Sequence, residues 1–523
     1  MHFGPLKLSE LASIYHAQSF LFAILFCKVV SGVETICLYN NEYWMKKKPQ
    51  KIIGSRQLHS SILHADYLEK CAHLRTRKDR FEVGRAMRET CPRADHSQYQ
   101  VDWKKRRDPI ELLIESSQGR IESLLPIRYG RMATSPFAFF RGSAIIMAAD
   151  LVQTPDTGYA VQSCGDSHLC NFGAFATPER NIIFDINDFD ETFPAPWEWD
   201  LKRLAASFVI ASKHNGHKKS DCRAAAMRMV ECYRERMLAL AQMPSLSAWY
   251  DLLCYEELID RSRDRKFQEQ RRKDLKKAKE RDGLTEFVKL GHFVNGKPGI
   301  KEQPPLIYRD ERYHTPEFQN AIMAGIEDYR LSLPMDRRVL FDHYEYVDTA
   351  IKVVGVGSVG TMCLIVLFFA AENDPLFLQV KEARQSVLEP YSGYPPFQSH
   401  GERVVFGQRL MQSASDVFLG HFIGLLQNKH YYVRQLRDVK VKIPVETFSP
   451  QEMLIYAQKC GWALARAHAR SADPAVLSGY IGKAKVLPEA VANFAEIYCD
   501  QNERDYNRLL DAIKSGAIQA QPG

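Results

Sequence analysis

The segment 344–383 alternates apolar runs with turn residues, and it constrains the fold of this chain more than any other segment. One apolar run ends at residue 354 and leads into Gly355-Val-Gly-Ser-Val-Gly360, and two further runs follow at 361–370 and 376–381. Runs of this length, separated by turns that contain glycine or proline, predict a three-strand antiparallel meander.

Helical patterns dominate the regions on either side of this meander. Apolar spacing predicts two long helices over 200–243 and further helices over 401–426 and 450–470, with a short strand at 431–435. Because strands and helices fall largely in separate segments, the predicted fold class is α+β.

Three other segments have distinctive compositions. The aromatic segment 137–142 is expected to form a buried strand or turn, and the proline-containing segment 296–340 is expected to be a linker. Between Arg261 and Arg281 the chain holds eleven Lys and Arg residues among acidic ones, with Phe267 as its only aromatic residue. We interpret this stretch as a solvated helix or insertion, because nucleic-acid sites need more stacking residues.

The composition is that of a globular protein, since 45% of the 523 residues are hydrophobic. The 70 Lys and Arg residues exceed the 63 Asp and Glu residues by only seven, which does not indicate a nucleic-acid partner. The apolar run 20–27 is too short to span a membrane, and the twelve cysteines include no CxxC pair. We therefore expect a cytoplasmic protein with free thiols and no membrane partner.

The densest group of chemically active residues lies in Cys164-Gly-Asp-Ser-His-Leu-Cys-Asn-Phe-Gly173. Asp166 and Asn171 have the spacing of the kinase catalytic loop, in which the carboxylate orients the attacking hydroxyl and the amide oxygen binds Mg²⁺. Asp185 ends a short apolar run, at the position expected of a metal-binding Asp at a strand end. The pattern predicts Asp166 as the catalytic residue and Asn171 and Asp185 as metal ligands.

The same residues also fit a structural interpretation, in which they form acidic turns around a hairpin. Asp188 and Asp190 either assist the metal or cap the segment, and His168 is expected to hydrogen-bond the backbone. The order of loop, strand and second Asp, followed by a helix that opens at Trp199-Asp200, favours the functional interpretation.

A second candidate group combines the glycine-rich turn of the meander with Lys381. Because this turn joins two strands, it disfavours a dinucleotide-binding site, in which such glycines join a strand to a helix. A glycine-rich hairpin over phosphates with a lysine on the third strand is the kinase arrangement, and the structural alternative is a tight hairpin with an exposed lysine. The predicted phosphate-binding residues are Gly355, Gly357, Ser358, Gly360 and Lys381.

Other charged residues are candidates for supporting roles. Glu389 and Glu402 are both candidates to orient Lys381 from the next helix. Three arginines flank the segment 126–142, and either one of them reaches a phosphate or they form ordinary ion pairs. They are Arg128, Arg131 and Arg141.

At these residues the sequence resembles a family of uncharacterised bacterial proteins, domain of unknown function 2252. The family name implies no activity, and the resemblance spans about residues 90–475. The matching stretches are 131–142, 164–173, 184–191, 197–205, 355–361, 376–383, 434–438 and 464–470.

A more distant resemblance, to aminoglycoside phosphotransferases and choline kinases, does imply an activity. Their H-G-D-x-x-x-x-N loop is similar to Cys164-Gly-Asp through Asn171, with cysteine in place of histidine. Leu464-Ala-Arg-Ala-His468 is similar to the helix that comes just before their loop, but here it follows the loop. The resemblance therefore implies a protein-kinase-like fold that is circularly permuted, with the adenine near 433–436 and Gln435 among the nucleotide-binding residues.

On this basis we expect three regions. Residues 1–90 form an N-terminal extension that is partly disordered, 91–340 form the catalytic-loop half with a helical insertion, and 341–523 form the glycine-loop half with the hinge and C-terminal helices.

The leading hypothesis is an ATP-dependent phosphotransferase that uses Mg²⁺ and acts on a hydroxyl group of a small molecule or a protein. One alternative is a nucleotide-binding module without catalysis, as in a pseudokinase. The other is a metal-dependent hydrolase built on the acidic cluster, which consists of Asp166, His168, Asp185, Asp188 and Asp190.

Overall fold

The computed structural model describes residues 76–521 with short internal gaps, which are 100, 103, 257–267, 270–271, 274, 277–282, 311–314, 354, 356, 358, 372–373, 394–396, 425–428, 437–439 and 442. Residues 1–75 of the expected extension, most of the charged stretch 261–281 and Ser358 therefore lie outside the described residues. Within the described ranges, none of the helices has the length and apolar character that crossing a membrane would require.

The first part of the described chain is mostly helical. Its elements, in chain order, are α1 (Arg77–Thr90), α2 (Pro109–Ser117), α3 (Leu125–Met132), α4 (Pro136–Gly142), α5 (Ala144–Leu151), β1 (Ala160–Ser163), β2 (Phe172–Ala176), β3 (Ile182–Ile186), β4 (Phe193–Pro196), α6 (Trp197–His214), α7 (Lys219–Gln242) and α8 (Ser245–Trp249).

The second part contains the large sheet and the C-terminal helices. Its elements are α9 (Gly283–Leu290), β5 (Gly291–Val294), β6 (Lys297–Ile300), β7 (Ile307–Tyr308), α10 (Pro316–Ser332), α11 (Met335–Phe341), β8 (Glu345–Lys352), β9 (Cys363–Phe369), β10 (Pro375–Ala383), α12 (Glu389–Ser392), α13 (His400–Met411), β11 (Gly420–Gly424), β12 (Lys429–Gln435), β13 (Lys440–Val441), α14 (Pro450–Ala469), α15 (Pro474–Ile481) and α16 (Val486–Lys514).

The predicted meander is confirmed, and it forms the centre of an antiparallel sheet with the strand order β11-β12-β10-β9-β8-β7. Side chains of a strand alternate between the two faces, so β10 presents Leu378 and Val380 to one face and Gln379 and Lys381 to the other. The first face is apolar and packs against Ile322 and other residues of α10. The second face carries a polar stripe, and this stripe positions the candidate site.

Two smaller strand pairs position the acidic loops. Strands β2 and β3 pair antiparallel, with Phe172 opposite Ile186, so the start of β2 lies beside the end of β3. The loop that precedes β2 and the segment that follows β3 therefore emerge together, and the backbone N–H of Asn187 donates to the carbonyl of Asn171 at 2.9 Å. Strand β1, which ends just before the first of these loops, pairs with β4, which begins just after the second.

The helices α6, α7, α14 and α16 form the largest core, together with β1 to β4. Nearly every residue of α6 is buried, from Trp197 to Ser212. Helix α14 approaches α7 closely, because a Cβ placed on Gly461 would lie 2.1 Å from the carbonyl oxygen of Met229. The mixed α+β class predicted from the sequence is confirmed.

Three local predictions were wrong. The segment 137–142 belongs to helix α4, which Pro136 begins and Ser135 caps by accepting from the N–H of Ala138 at 3.0 Å. The expected linker 296–340 contains strands and the helices α10 and α11, and two of its prolines, Pro316 and Pro334, stand at helix starts. The helix predicted over 401–426 ends at Met411, and a loop and the strand β11 follow it.

Candidate functional site

The polar stripe of the large sheet meets the segment that follows β3. The ammonium of Lys381 forms an ion pair with the carboxylate of Asp190, and the hydroxyl of Tyr432 donates to Asp190 Oδ1 at 2.6 Å. Lys381 is buried, and Tyr432 lies directly across from it on β12. Burial alone would raise the pKa of Asp190, but Lys381 and Tyr432 outweigh it and lower the pKa to about 2.

A second carboxylate and a second cation lie beside this pair. Burial and the neighbouring Asp190 raise the pKa of Asp188, whereas Lys381 and Arg434 oppose that rise. The Nε of Arg434 donates to Gln379 Oε1 at 3.1 Å, and its guanidinium lies 5.8 Å from the centre of the Tyr432 ring. The site therefore holds two carboxylates against two cations.

The loop before β2 places Asp166 on an arginine of α6. Oδ1 of Asp166 accepts from Nε and Nη2 of Arg203 at 2.7 and 2.5 Å. Burial raises the pKa of Asp166, and the guanidinium groups of Arg203 and Arg141 oppose that rise. His168 Nε2 lies 3.8 Å from Asp166 Oδ2, and burial followed by the same two arginines lowers the pKa of His168 well below its usual value. His168 is therefore neutral at pH 7.

Asp200, in the first turn of α6, fixes the start of this loop. Its two oxygens accept from the backbone N–H groups of Cys164 at 2.7 Å and Gly165 at 3.0 Å. His468 of α14 lies 3.2 Å from Asp200 through Nε2, and the Tyr233 hydroxyl lies 2.9 Å from its other ring nitrogen. A helix near the C-terminus thereby supports the loop at 164–171.

Asn171 faces the same loop. Its amide nitrogen donates to the backbone carbonyl of Asp166 at 2.8 Å, so the nitrogen is engaged in holding the loop. This orientation directs the amide oxygen, the atom that a hard metal ion prefers, away from the loop backbone.

Asp185 has different surroundings. Both its oxygens accept from Nη2 of Arg466, at 2.7 and 2.8 Å, and Oδ2 also accepts from the backbone N–H and the hydroxyl of Ser413 at 2.9 and 2.8 Å. Its side chain and that of Arg466 are each 1% exposed. The Asp185 carboxylate is thus neutralised and saturated by protein donors within the core.

The glycine-rich turn lies against the segment that links α2 to α3. Nη1 of Arg120 donates to the carbonyls of Gly357 at 3.0 Å and Val359 at 2.6 Å, and the N–H of Ile121 donates to that of Gly360 at 2.7 Å. A Cβ placed on Gly357 would lie 3.6 Å from the carbonyl oxygen of Arg141. The turn therefore reaches the arginine whose charge also acts on Asp166. Gly355 has open space around it.

The glutamates considered for Lys381 lie elsewhere. Glu389 Oε2 is 3.8 Å from His400 Nδ1, and burial raises the pKa of Glu389. Glu402 accepts from the backbone N–H of Gln398 at 2.8 Å, at the start of α13. Helix α13 instead contributes Arg403, which donates to the carbonyl oxygens of Asp190 and Thr192.

Two of the residues expected near the adenine make backbone hydrogen bonds within the protein. The backbone N–H of Gln435 donates to Asp416 Oδ2 at 2.5 Å, and that of Leu436 donates to the carbonyl of Phe377 at 3.0 Å. Arg128 donates to the hydroxyls of Ser117 and Ser116 at 2.8 and 2.9 Å, so hydroxyls take the place of the carboxylate considered for it.

Four residues of the site are not among those predicted from the sequence: Arg203, Arg403, Tyr432 and Arg434. Tyr432 and Arg434 could have been found, because residues two apart on a strand share a face and β12 was predicted. Arg203 and Arg403 lie on helices whose contacts with the loops depend on tertiary packing.

A metal ion at this site would need part of its ligand shell from another molecule, such as a bound phosphate. In the described ranges no three His, Cys, Asp or Glu side chains are placed to hold a metal ion by themselves. Mg²⁺ commonly takes one or two carboxylates and completes its shell with phosphate and water. Asn171 and Asp188 carry oxygen atoms of the kind that this mode uses, whereas the Asp185 carboxylate is already saturated by Arg466 and Ser413.

Comparison with known proteins identifies the family to which the chain belongs. Neither the curated proteins nor the solved structures include a match to this chain. A family model described as "Uncharacterized protein conserved in bacteria (DUF2252)" matches residues 120–512, which include the two acidic loops, the glycine-rich turn, Lys381 and His468. The chain therefore belongs to the DUF2252 family of bacterial proteins.

Proposed function

We propose that this protein is an ATP-dependent phosphotransferase with a kinase-like, circularly permuted architecture. The observation that carries the proposal is the ion pair of Lys381 with Asp190. It joins β10, the third strand of the meander, to the segment that follows β3 beside the Asp166 loop. The pair therefore brings a lysine, a glycine-rich turn and the loop with Asp166 and Asn171 into one region. Kinases use these parts to hold and transfer a phosphoryl group.

The permutation is supported by His468. In the enzymes that the sequence resembles, a leucine/histidine helix comes just before the catalytic loop, whereas here it follows the loop by about three hundred residues along the chain. His468 nevertheless lies 3.2 Å from Asp200, the residue that fixes Cys164 and Gly165. The helix with His468 and the loop at Cys164 therefore lie together in space, as expected for the unpermuted enzymes, although their order along the chain is reversed.

Phosphate binding is assigned to Lys381 and the glycine-rich turn. Lys381 is buried and positively charged, since Asp190 raises its pKa against the effect of burial. A nucleotide phosphate can share or replace Asp190 as its partner. The backbone at Gly355 and Gly357 has space for close approach, because neither position carries a Cβ.

Metal binding is assigned to Asn171 and Asp188. Asp188 takes this role in place of the sequence-predicted Asp185, whose carboxylate is bound to Arg466. Burial and Asp190 make ionised Asp188 unfavourable without a cation, which suits a carboxylate that receives one with the substrate. When bound, Mg²⁺ would neutralise charge on the transferred phosphoryl group.

Acceptor activation is assigned to Asp166. Its Oδ2 is the atom not bonded to Arg203, and it would accept the proton of the attacking hydroxyl or orient it. Arg203 acts as a positioning residue, because two hydrogen bonds fix the carboxylate. The reaction would then depend mainly on positioning and on charge neutralisation.

The alternative of a nucleotide-binding module without catalysis is favoured by one observation, the Arg203 pair, which occupies Oδ1 of Asp166 and opposes the rise that burial causes in its pKa. Thermal unfolding with ATP and Mg²⁺, compared between the wild type and Asp166→Asn, followed by phosphate transfer to a panel of hydroxyl acceptors, separates the two functions. Equal ATP-dependent stabilisation of both proteins, with transfer lost by about 10²-fold or more only in Asp166→Asn, supports the phosphotransferase. Nucleotide binding without transfer to any acceptor favours the module, and no stabilisation by ATP contradicts both.

A further inference from the structure

A cavity outside the candidate site carries an excess of positive charge. Its volume is about 260 Å³, and it lies between α1, α7 and the end of α15. Among the described residues that line it are four cations and one carboxylate: Arg85, Arg88, Arg234, Lys483 and Glu82. None of them takes part in the site built on Lys381 and Asp166.

Two carboxylates pair with these cations at long distance: Glu82, which lines the cavity, and Glu235, whose Oε1 lies 3.7 Å from Arg234 Nη2. Glu82 Oε1 lies 3.7 Å from Arg85 Nη1, and both side chains are more than half exposed to solvent, so the pair is weak. Arg88 forms no ion pair with any described residue. Burial and the charges of Arg93 and Arg85 lower its pKa, which indicates mutual repulsion among these groups.

Backbone carbonyls hold the arginines in place without neutralising them. Arg88 donates to the carbonyls of Tyr480 and Gly479 at 2.8 and 2.5 Å, and Arg93 donates to that of Ile481 at 2.8 Å. Because carbonyl oxygens carry no net charge, both guanidinium groups remain available to an anion. The carbonyl bonds also fix their orientation, which reduces the entropy cost of binding a ligand.

Gly482 allows this convergence. It has a φ of +68°, and a Cβ placed on it would lie 2.6 Å from Arg88 Nη2 and 2.7 Å from Arg93 Nη1. Any larger residue would separate the two guanidinium groups. Cations that the fold brings together with too few carboxylates to balance them are stabilised when an anion binds between them.

We propose that this cavity binds a small molecule with a phosphate group, which is held by Arg85, Arg88, Arg234 and Lys483. A guanidinium group can donate two parallel hydrogen bonds to two oxygens of one phosphate. This geometry suits a phosphate better than it suits a monovalent ion. A volume of about 260 Å³ admits a phosphorylated metabolite but is small for a dinucleotide. The proposal is independent of the proposed function, because it concerns a separate set of residues.

The test is a calorimetric titration of the full chain with inorganic pyrophosphate at constant ionic strength. The double variant Arg85→Gln, Lys483→Gln is informative because both side chains are exposed, so the protein should still fold. We expect its affinity to fall about tenfold or more. Lys78→Gln on α1 is the matched control, since it removes an exposed charge from the same helix outside the cavity.

Any of the following results would overturn the proposal: no binding of pyrophosphate, equal binding by the wild type and the double variant, or equal weakening by Lys78→Gln. Loss of binding in Lys381→Ala alone would also overturn it, by placing the anion in the other site. Sedimentation with phosphatidylcholine vesicles, with and without phosphatidic acid, identifies the source of the phosphate. Binding to the acidic vesicles that the double variant loses points to a lipid headgroup, and binding to pyrophosphate alone points to a free metabolite.

Discussion

Lys381 and Asp190 lie 191 residues apart in the sequence, yet the buried ammonium of Lys381 forms an ion pair with the partly buried carboxylate of Asp190, between β10 and the segment that follows β3. The pair connects the large sheet to the loops that carry Asp166 and Asn171. Removing one member of such a pair leaves a buried charge without a partner, which is costly. The pair therefore has a structural effect that must be separated from any role in binding nucleotide.

Replacing Lys381 by Met should abolish stabilisation by Mg²⁺ and ATP, because no other described cation on β10 faces the acidic segment. The double variant Lys381→Met, Asp190→Asn removes both charges and should recover most of the lost stability without recovering nucleotide binding. Thermal unfolding with and without ligand measures both effects. Lys429→Ala, which removes a lysine from the same sheet, should respond to ATP like the wild type. An ATP-dependent shift that persists in the double variant would contradict the assignment of Lys381.

The ion pair of Asp185 with Arg466 should stabilise the fold, whereas the Asp188 carboxyl should not be needed for stability. Arg466→Met leaves the Asp185 carboxylate buried without its partner and should cost about 3–5 kcal/mol in the free energy of unfolding. Adding Asp185→Asn should recover part of that loss. Asp188→Asn should not lower stability at neutral pH, because burial and Asp190 raise the pKa of the carboxyl that it replaces. It should instead remove the dependence of ATP binding on Mg²⁺, measured by titration calorimetry with and without the metal; a Mg²⁺ dependence that survives Asp188→Asn is the contrary outcome.

The different surroundings of Asp185 and Asp188 could not be predicted from the sequence. The position of Asp185 at the end of an apolar run predicts a metal ligand, and in the structure β3 continues through Ile186 and Asp185 lies within the core. Its partner, Arg466, lies 281 residues away, and no local pattern identifies a long-range neutralising charge. The third-strand position of Lys381 could be predicted, because strand alternation and turn residues are local properties.

The glutamate next in sequence to Asp190 should make the stability of the protein depend on pH. Burial raises the pKa of Glu191 to about 7, although it accepts from the N–H of Val387 at 2.8 Å. The folded state therefore binds this proton more tightly than the unfolded state. The corresponding stability is fully present below pH 4.5 and is lost as the pH rises through 7.

Glu191→Gln keeps the shape and the accepting oxygen but cannot ionise. Relative to the wild type, it should gain about 1–3 kcal/mol in the free energy of unfolding at pH 8 and little at pH 4. Urea denaturation across this range measures the difference. Glu503→Gln is a control, since it removes an exposed carboxylate paired with Lys213 and should not show a gain that grows with pH. Parallel pH profiles for the wild type and Glu191→Gln would show that this carboxyl does not titrate in the expected range.

The contact between the two acidic loops can be tested at Gly165. It has a φ of +81°, and a Cβ placed on it would lie 2.1 Å from the carbonyl oxygen of Glu191. Gly165→Ala combines backbone strain with a clash against another backbone, and the clash should displace the Asp166 loop from the segment that carries Asp188 and Asp190. Gly158 provides the matched control, because its φ is +69° and no atom lies within 4 Å of the added Cβ. Gly158→Ala should cost about 1–2 kcal/mol from strain alone. Gly165→Ala should cost at least about 2 kcal/mol more and should also weaken binding of Mg²⁺ and ATP. Equal losses of stability in the two variants, measured by urea denaturation, would mean that the two loops are not held in contact.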